Sequence, residues 1–265
     1  MDKFIITEIN KDAAINFIKK HHYSKILPRL TKYYLGFFNE NELQGVITLG
    51  YGTQPLQTIK KILYKDEVKT EDYIEIGKMC LSPFQNNNSF AGSHMISILI
   101  KWIKQHTNYK YLYTLADGIM GKCGYVYQAS NFMYIGNFMT SVYRDSRTGE
   151  KIHPRSAKTL CEENAKYEGK NKVYWLTHDF CEYKGIEKIN GLMFRYIMPL
   201  NKKYKKNLQK YEEYKNKKYP KDSDLLFKKR VEKGKFVEIE KPDFNMNVFY
   251  HNFQKNHEEQ ITLFN

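Results

Sequence analysis

The stretch Ala116-Asp117-Gly118-Ile119-Met120-Gly121-Lys122-Cys123-Gly124-Tyr125-Val126-Tyr127-Gln128-Ala129-Ser130-Asn131-Phe132 constrains this chain more than any other. It follows the apolar run Tyr111 to Leu115 with an acid, then a glycine-rich turn, then an aromatic amphipathic segment. An apolar run that stops at a carboxylate reads as a buried strand delivering Asp117 to its tip. The segment from Gly124 to Asn131 reads as a short helix carrying Tyr127. Sites of α/β proteins form where strand ends open into a crevice. Taken alone, Asp117 is either a site carboxylate or the cap of a turn opening at Gly118. Tyr127 is either a proton donor or metal-binding phenolate, or one packing residue among 22 tyrosines.

Periodicity organises the rest. Lys3 to Asn10 reads as a strand, and Asp12 can cap a helix through Ala13, Ala14, Phe17 and Ile18 that ends near His21-His22-Tyr23-Ser24. Tyr33 to Phe38 and Leu43 to Leu49 form a hairpin pattern across Asn39-Glu40-Asn41-Glu42. Pro55 to Asp66 predicts an inserted helix, and Tyr73 to Leu81 another strand. After the polar loop Gln85 to Gly92, Ser93 can cap a helix with Met95, Ile96, Leu99, Ile100 and Ile103 on its apolar face. A hairpin is predicted around Asp145-Ser146-Arg147-Thr148-Gly149, with later strands at Lys172 to Leu176 and Leu192 to Leu200. The order β-α-β-β-β-α-β-α-β predicts an α/β fold: a central mixed sheet flanked by helices.

The formal charge is +14, which favours a polyanionic partner. Much of the excess is local. From Lys202 to Lys235 there are 14 Lys/Arg against 5 Asp/Glu, with Tyr204, Tyr211, Tyr214 and Tyr219 interleaved. Residues 1–200 therefore read as a catalytic domain, and 201–265 as a lysine- and tyrosine-rich extension. Lys202, Lys203, Lys205, Lys206, Lys228, Lys229 and Arg230 are the expected DNA contacts, with tyrosines stacking on exposed bases. No run has the length of a membrane span, and the N-terminus lacks signal-peptide features. Cys80, Cys123, Cys161 and Cys181 show no C-x-x-C pairing, which predicts reduced thiols in a cytoplasmic protein and no zinc site.

Several residues have side chains suited to chemistry. His22 lies where a helix is expected to end; an imidazole there supplies a base or a metal ligand, or simply complements the helix dipole. Lys78 alternates within Glu75-Ile76-Gly77-Lys78-Met79 and either meets a phosphate or is solvated. Ser89 and Ser93 flank a loop–helix junction, where hydroxyls cap the helix or contact phosphate. P-loop, zincin, nucleophile-elbow and dinucleotide motifs are absent, as is a D-P-P-Y-like signature.

The strand, polar loop and helix from Tyr73 to His106 resemble the acyl-CoA-binding segment of GNAT acetyltransferases. More specifically, three blocks together resemble the Mom family of phage DNA modification proteins. The first is His21-His22-Tyr23-Ser24 with Pro28 and the hairpin from Leu35-Gly36 to Gly50. The second is Glu75-Ile76-Gly77-Lys78-Met79-Cys80-Leu81, followed by Ser93-His94-Met95-Ile96-Ser97. The third runs from Ala116-Asp117-Gly118 through Tyr127-Gln128-Ala129-Ser130-Asn131-Phe132 to Tyr134-Ile135-Gly136. The resemblance implies a GNAT-like fold, conversion of DNA adenine to N6-carbamoylmethyladenine, and protection from host restriction. It implies a catalytic set at His22, Tyr23, Asp117 and Tyr127, with Lys78 in the place of the family's basic strand residue and Ser93, or alternatively Ser89, in that of its serine.

Adenine N6 is a poor nucleophile and is paired in duplex DNA, so the base must be extruded or single-stranded. A carbamoylmethyl group joins through its CH2 carbon, which acyl transfer from acetyl-CoA does not provide. An electrophilic or radical carbon is needed from a small-molecule donor. Imidazole, carboxylate and phenolate suit iron better than zinc or copper, so His22, Tyr23, Asp117 and Tyr127 are expected to converge on one pocket and hold iron. Two other readings stay open: an N-acetyltransferase using acetyl-CoA on a small amine or protein, and a non-catalytic DNA-binding protein.

Overall fold

The computed structural model describes residues 4–24, 30–83, 91–154, 157–248 and 250–251. The chain folds into two compact units, each assembled from separated segments. The first holds residues 1–116, 123–137 and 194–221; the second holds 117–122, 138–193 and 222–265.

In the first unit the strands lie in the order β1 (Ile5–Glu8), β2 (Leu30–Asn39), β3 (Glu42–Tyr51), β4 (Tyr73–Leu81), β5 (Tyr111–Asp117), then parts of β8 (Ile186–Pro199) and β6 (Met133–Asp145). β1 to β4 pair antiparallel, and β4 pairs with β5 in parallel, so the sheet is mixed as the sequence predicts. The β2–β3 hairpin turns at Glu40 and Asn41, both at positive φ. Helix α1 (Lys11–His21) is capped by Asn10, whose side chain accepts from the Asp12 amide, two residues earlier than the expected Asp12 cap. Its Ala14 and Ile18 pack on Val46 and Cys80 of one sheet face. Helix α2 (Pro55–Ile62) shares that face and buries Ile59 and Ile62 beside Tyr73, Tyr111 and Tyr113. Helix α3 (Ala91–His106) covers the other face; a side chain at Gly45 would collide with its Met95. Ser93 lies inside α3 and not at its cap, because the helix already includes Ala91. The predicted polar loop through Ser89 lies outside the described residues.

The register between β3 and β4 slips once. Lys78 is opposite Thr48 and Glu75 is opposite Gly50, so β4 carries one extra residue there. Residues three apart in a regular strand point to opposite faces, whereas this bulge turns Glu75 and Lys78 to the same face.

The segment after Leu200 is divided. Helices α7 (Lys202–Leu208) and α8 (Glu212–Lys215) belong to the first unit and bury Leu208, Tyr211 and Tyr214 in the core of α2. From Asp222 onward the chain belongs to the second unit.

The second unit orders its strands β10 (Lys235–Glu238), β9 (Phe227–Glu232), β8, β6 and β7 (Lys151–Ile152). Tyr143, Ile152, Leu160, Leu176, Phe180 and Ile186 form its core with helices α5 (Lys158–Tyr167) and α6 (His178–Lys184). The sequence reading missed both helices and the β9–β10 hairpin. The strand predicted at Lys172 to Leu176 does not form. Those residues run as a connection into Thr177, which caps α6, and the Leu176 amide donates to the buried Tyr143 hydroxyl instead of to a ladder.

Short helix α4 (Tyr125–Ala129) begins at Gly124, with φ of 85°. A Cβ there would stand 2.7 Å from the Tyr196 ring and 3.0 Å from the Ala116 methyl. Gly124→Ala combines left-handed strain with a clash, each costing about 1–3 kcal/mol. The expected outcome in thermal melts is a fall in Tm of several degrees, and Gly169→Ala, which would meet nothing within 4 Å, should cost less.

Candidate functional site in the first unit

Helix α1 ends where the expected imidazole stands. His22 is the C-cap residue, its amide donating to the Ile18 carbonyl at 2.8 Å, and its side chain is buried. His22 Nδ1 lies 2.8 Å from both the Ser24 amide and the Ser24 carbonyl oxygen, which closes a tight turn on the imidazole. The Tyr23 ring stacks on the imidazole with centroids 4.4 Å apart. Lys78 Nζ donates to Ser24 Oγ at 2.9 Å, and its amide donates to Thr48 Oγ1 at 2.9 Å. His22, Tyr23 and Lys78, singled out separately in the sequence, are therefore one cluster tied through Ser24.

The bulge adds a residue that sequence reasoning missed. Glu75 shares the face of Lys78, and its carboxyl is only partly exposed. Desolvation raises its pKa to about 7, against a backbone hydrogen bond from Gly52 that favours the charged form. At neutral pH Glu75 is thus able both to take and to give a proton. The available signal was an acid inside the apolar run Tyr73-Ile74-Glu75-Ile76; the bulge that pairs it with Lys78 was not visible.

Tyr127 reaches this region from the opposite side. Its helix packs on α3, where a Cβ on Gly92 would lie 2.8 Å from Val126. The phenol is buried, with ring contacts to Phe132 at 5.5 Å and Tyr196 at 5.6 Å. Burial is the main cause of its raised pKa; the nearby Thr114 hydroxyl lowers it and the Glu75 carboxylate raises it. The phenol is therefore protonated at neutral pH. Thr114 is fully buried, yet its Oγ1 has no partner of full hydrogen-bond geometry among the described residues. The β4–β5 ladder runs from Tyr73/Tyr111 to Ile76/Thr114, while β4 continues to Leu81. The ladder pairs Glu75 with Tyr113 and Ile76 with Thr114, so where the parallel pairing stops Thr114, with Tyr127 beside it, and Glu75 lie on opposite faces of the sheet.

Asp117 belongs to the second unit. It precedes the 3-10 turn Gly118–Met120 without a side-chain cap bond, and its Oδ2 pairs with Lys151 Nζ at 3.0 Å. Lys151 also lies 5.7 Å from the Phe244 ring. With Asp117 already paired to Lys151, its carboxylate would have to exchange that ammonium for the metal before it could serve as a ligand. Among the described residues no three His, Cys, Asp or Glu side chains group closely enough to hold a metal ion.

The expected DNA contacts separate into two kinds. Lys202, Lys203, Lys205 and Lys206 are exposed on α7. On β9 the cations serve the second unit internally. Lys229 pairs with Glu187 at 2.6 Å, Arg230 donates to the Thr177 carbonyl at 3.2 Å, and Lys228 lies 3.9 Å from Glu238. All four cysteines are free thiols, and no helix among the described residues is long and apolar enough to cross a membrane.

A mixed sheet whose parallel β4–β5 pairing ends near a buried phenol and a near-neutral carboxyl defines an α/β protein equipped for group transfer. The chain belongs to the Mom protein family, whose model matches residues 3–221. It is 29% identical over 198 residues to the methylcarbamoylase mom of Escherichia phage Mu, covering 74% of this chain and 75% of that protein. Solved structures similar to it include an N-acetyltransferase from Staphylococcus aureus Mu50 (10% identity, TM-score 0.36, 75% of this chain and 98% of that one). Another is the Bacillus subtilis acetyltransferase in complex with CoA (11% identity, TM-score 0.36, 76% of this chain and 100% of that one).

The raised Glu75 pKa has a thermodynamic consequence. The folded chain holds this proton more tightly than the unfolded chain, whose value is about 4.5. Stability associated with the neutral acid is present below that value and is lost as pH rises through about 7. Glu75→Gln should therefore raise Tm relative to the parent by more at pH 8 than at pH 4.5. Equal differences at both pH values would contradict the assignment.

Proposed function

We propose that this protein is a transferase that modifies adenine N6 in phage DNA, forming N6-carbamoylmethyladenine and protecting the DNA from host restriction. The family and the relative named a methylcarbamoylase support this reading. The structural observation that supports it is a buried, protonated Tyr127 whose pKa is raised in part by the charge of a near-neutral Glu75 close to the end of the β4–β5 ladder. Alkylation of an exocyclic amine needs both kinds of group.

The balance of the reaction assigns their roles. The extruded adenine presents N6 to the CH2 carbon of an activated carbamoylmethyl donor. The N6 lone pair forms the new N–C bond, the bond from that carbon to the leaving group breaks, and the leaving group departs with its electron pair. N6 then carries one proton too many, which Glu75 accepts as its carboxylate. Tyr127 gives its proton to the departing group, and burial of the phenol keeps that proton in place until then. Lys78, fixed by Ser24, faces the anionic part of the donor; Ser93, in the first turn of α3, is a further donor contact. His22 and Tyr23 hold the turn that positions Ser24 and so Lys78. An acetyl thioester would give an amide at N6, so the donor must offer an alkyl carbon.

Mass spectrometry of nucleosides from plasmid DNA after bacterial expression tests this. The expected result is a deoxyadenosine heavier by a carbamoylmethyl group. Tyr127→Phe and Glu75→Gln should each lower its yield by about 100-fold or more while the protein still melts cooperatively. Unmodified deoxyadenosine with the parent protein would refute the proposal.

A further inference from the structure

A second feature of the first unit is not used by this chemistry. The end of β8, the start of β6 and helices α7 and α8 enclose a groove of about 880 Å³. Lys104, Lys202, Lys205, Lys215 and Lys217 line it, and no Asp or Glu does. All five are exposed, and only Lys215 forms an ion pair among the described residues, with Glu212 at 2.6 Å. Five like charges around one depression repel each other and raise the local potential for an anion.

The floor is aromatic, and its rings are fixed. The Tyr219 hydroxyl donates to the Phe132 carbonyl at 2.7 Å, while its side of the groove leaves the residue 42% exposed. The Tyr214 hydroxyl donates to the Ile62 carbonyl at 2.8 Å, and the Tyr134 hydroxyl accepts from Asn137 at 3.0 Å. Tyr134 and Tyr214 are buried and brace the floor, whereas Tyr219, its hydroxyl satisfied inside the protein, offers ring surface to a ligand. Packed rings join the wall of this groove to Tyr127. The Tyr134 ring lies 5.5 Å from Tyr196, which lies 5.6 Å from Tyr127, and Asn131 on the groove wall ends the Tyr127 helix.

We infer that this groove binds a single-stranded segment of DNA next to the target adenine, with lysines on its phosphates and the Tyr219 ring stacked on a base. A concave path of cations with an immobilised aromatic platform matches unpaired nucleic acid. Reading a duplex calls for a helix or ribbon projecting into the major groove. The inference rests on the proposed function only for the choice of DNA over RNA.

The test uses the full chain and a fluorescein-labelled single-stranded deoxyoligonucleotide, followed by anisotropy. Lys202→Gln/Lys205→Gln/Lys217→Gln should weaken binding at least tenfold at low salt. It should also reduce the slope of log K against log salt by about 2, since each phosphate contact on a single strand contributes about 0.7. Tyr219→Ala should weaken binding about tenfold with the slope unchanged, and Tyr219→Phe should retain most of the affinity. Thermal melts confirm that each variant is folded. Unchanged affinity in folded variants, or tighter binding of the matching duplex or of the matching RNA, overturns the inference. If the variants lose affinity but the parent yields no modified adenosine, the groove stands and the proposed chemistry fails. If adenosine is modified and the variants bind as the parent does, the reverse holds.

Discussion

The parallel pairing of β4 with β5 stops at Ile76 and Thr114 while β4 runs on to Leu81. Two strands that separate leave backbone and side-chain groups without ladder partners, and such groups must find others or meet a ligand. In the first unit they meet the candidate site. Thr114 ends the ladder with a buried hydroxyl, Tyr127 lies beside it, and Glu75 lies within it on the neighbouring strand. The bulge in β4 adds to this by turning Glu75 and Lys78 to one face. Without it the acid and the base would point to opposite sides of the sheet.

The same region shows how one environment sets two protonation states. Burial raises the pKa of both Glu75 and Tyr127. For a carboxyl that brings the pKa close to neutrality, where a proton is readily exchanged. For a phenol it moves the pKa further from neutrality, where the proton is retained until a strong base is generated nearby. Asp117 is different. Its carboxylate pairs with Lys151 within the second unit. The sequence left both readings of Asp117 open; in the structure its side chain makes no cap bond and instead pairs with Lys151.

Basic residues proved the least legible part of the sequence. A run of lysines looks uniform, yet the structure distributes it among three tasks. Lys229 and Arg230 hold β9 to its surroundings, Lys202 and Lys205 line the groove, and Lys203 and Lys206 stand in solvent on α7. The tyrosines among them divide likewise: Tyr211 and Tyr214 are core, and Tyr219 is a partly exposed platform. What looked like an appended tail after Leu200 supplies Leu208, Tyr211 and Tyr214 to the core around α2.

Local pattern alone determined the hairpin at Asn39 to Glu42, the strand at Tyr73, the helix through Met95 and the glycine-started helix of Tyr127. Alternation, helical spacing and turn chemistry are short-range properties written in consecutive residues. The quoted motifs also marked His22, Tyr23, Lys78, Asp117 and Tyr127 as the residues to follow. Tertiary structure alone decided that Lys172 to Leu176 is not a strand, that Glu75 joins Lys78, and which lysines are already paired. Each of these depends on partners far away in the chain: Tyr143 for Leu176, Thr48 and Gly50 for the bulge, Glu187 for Lys229. Hydrogen bonding, register and ion pairing are properties of two segments at once, and a single segment does not reveal the other.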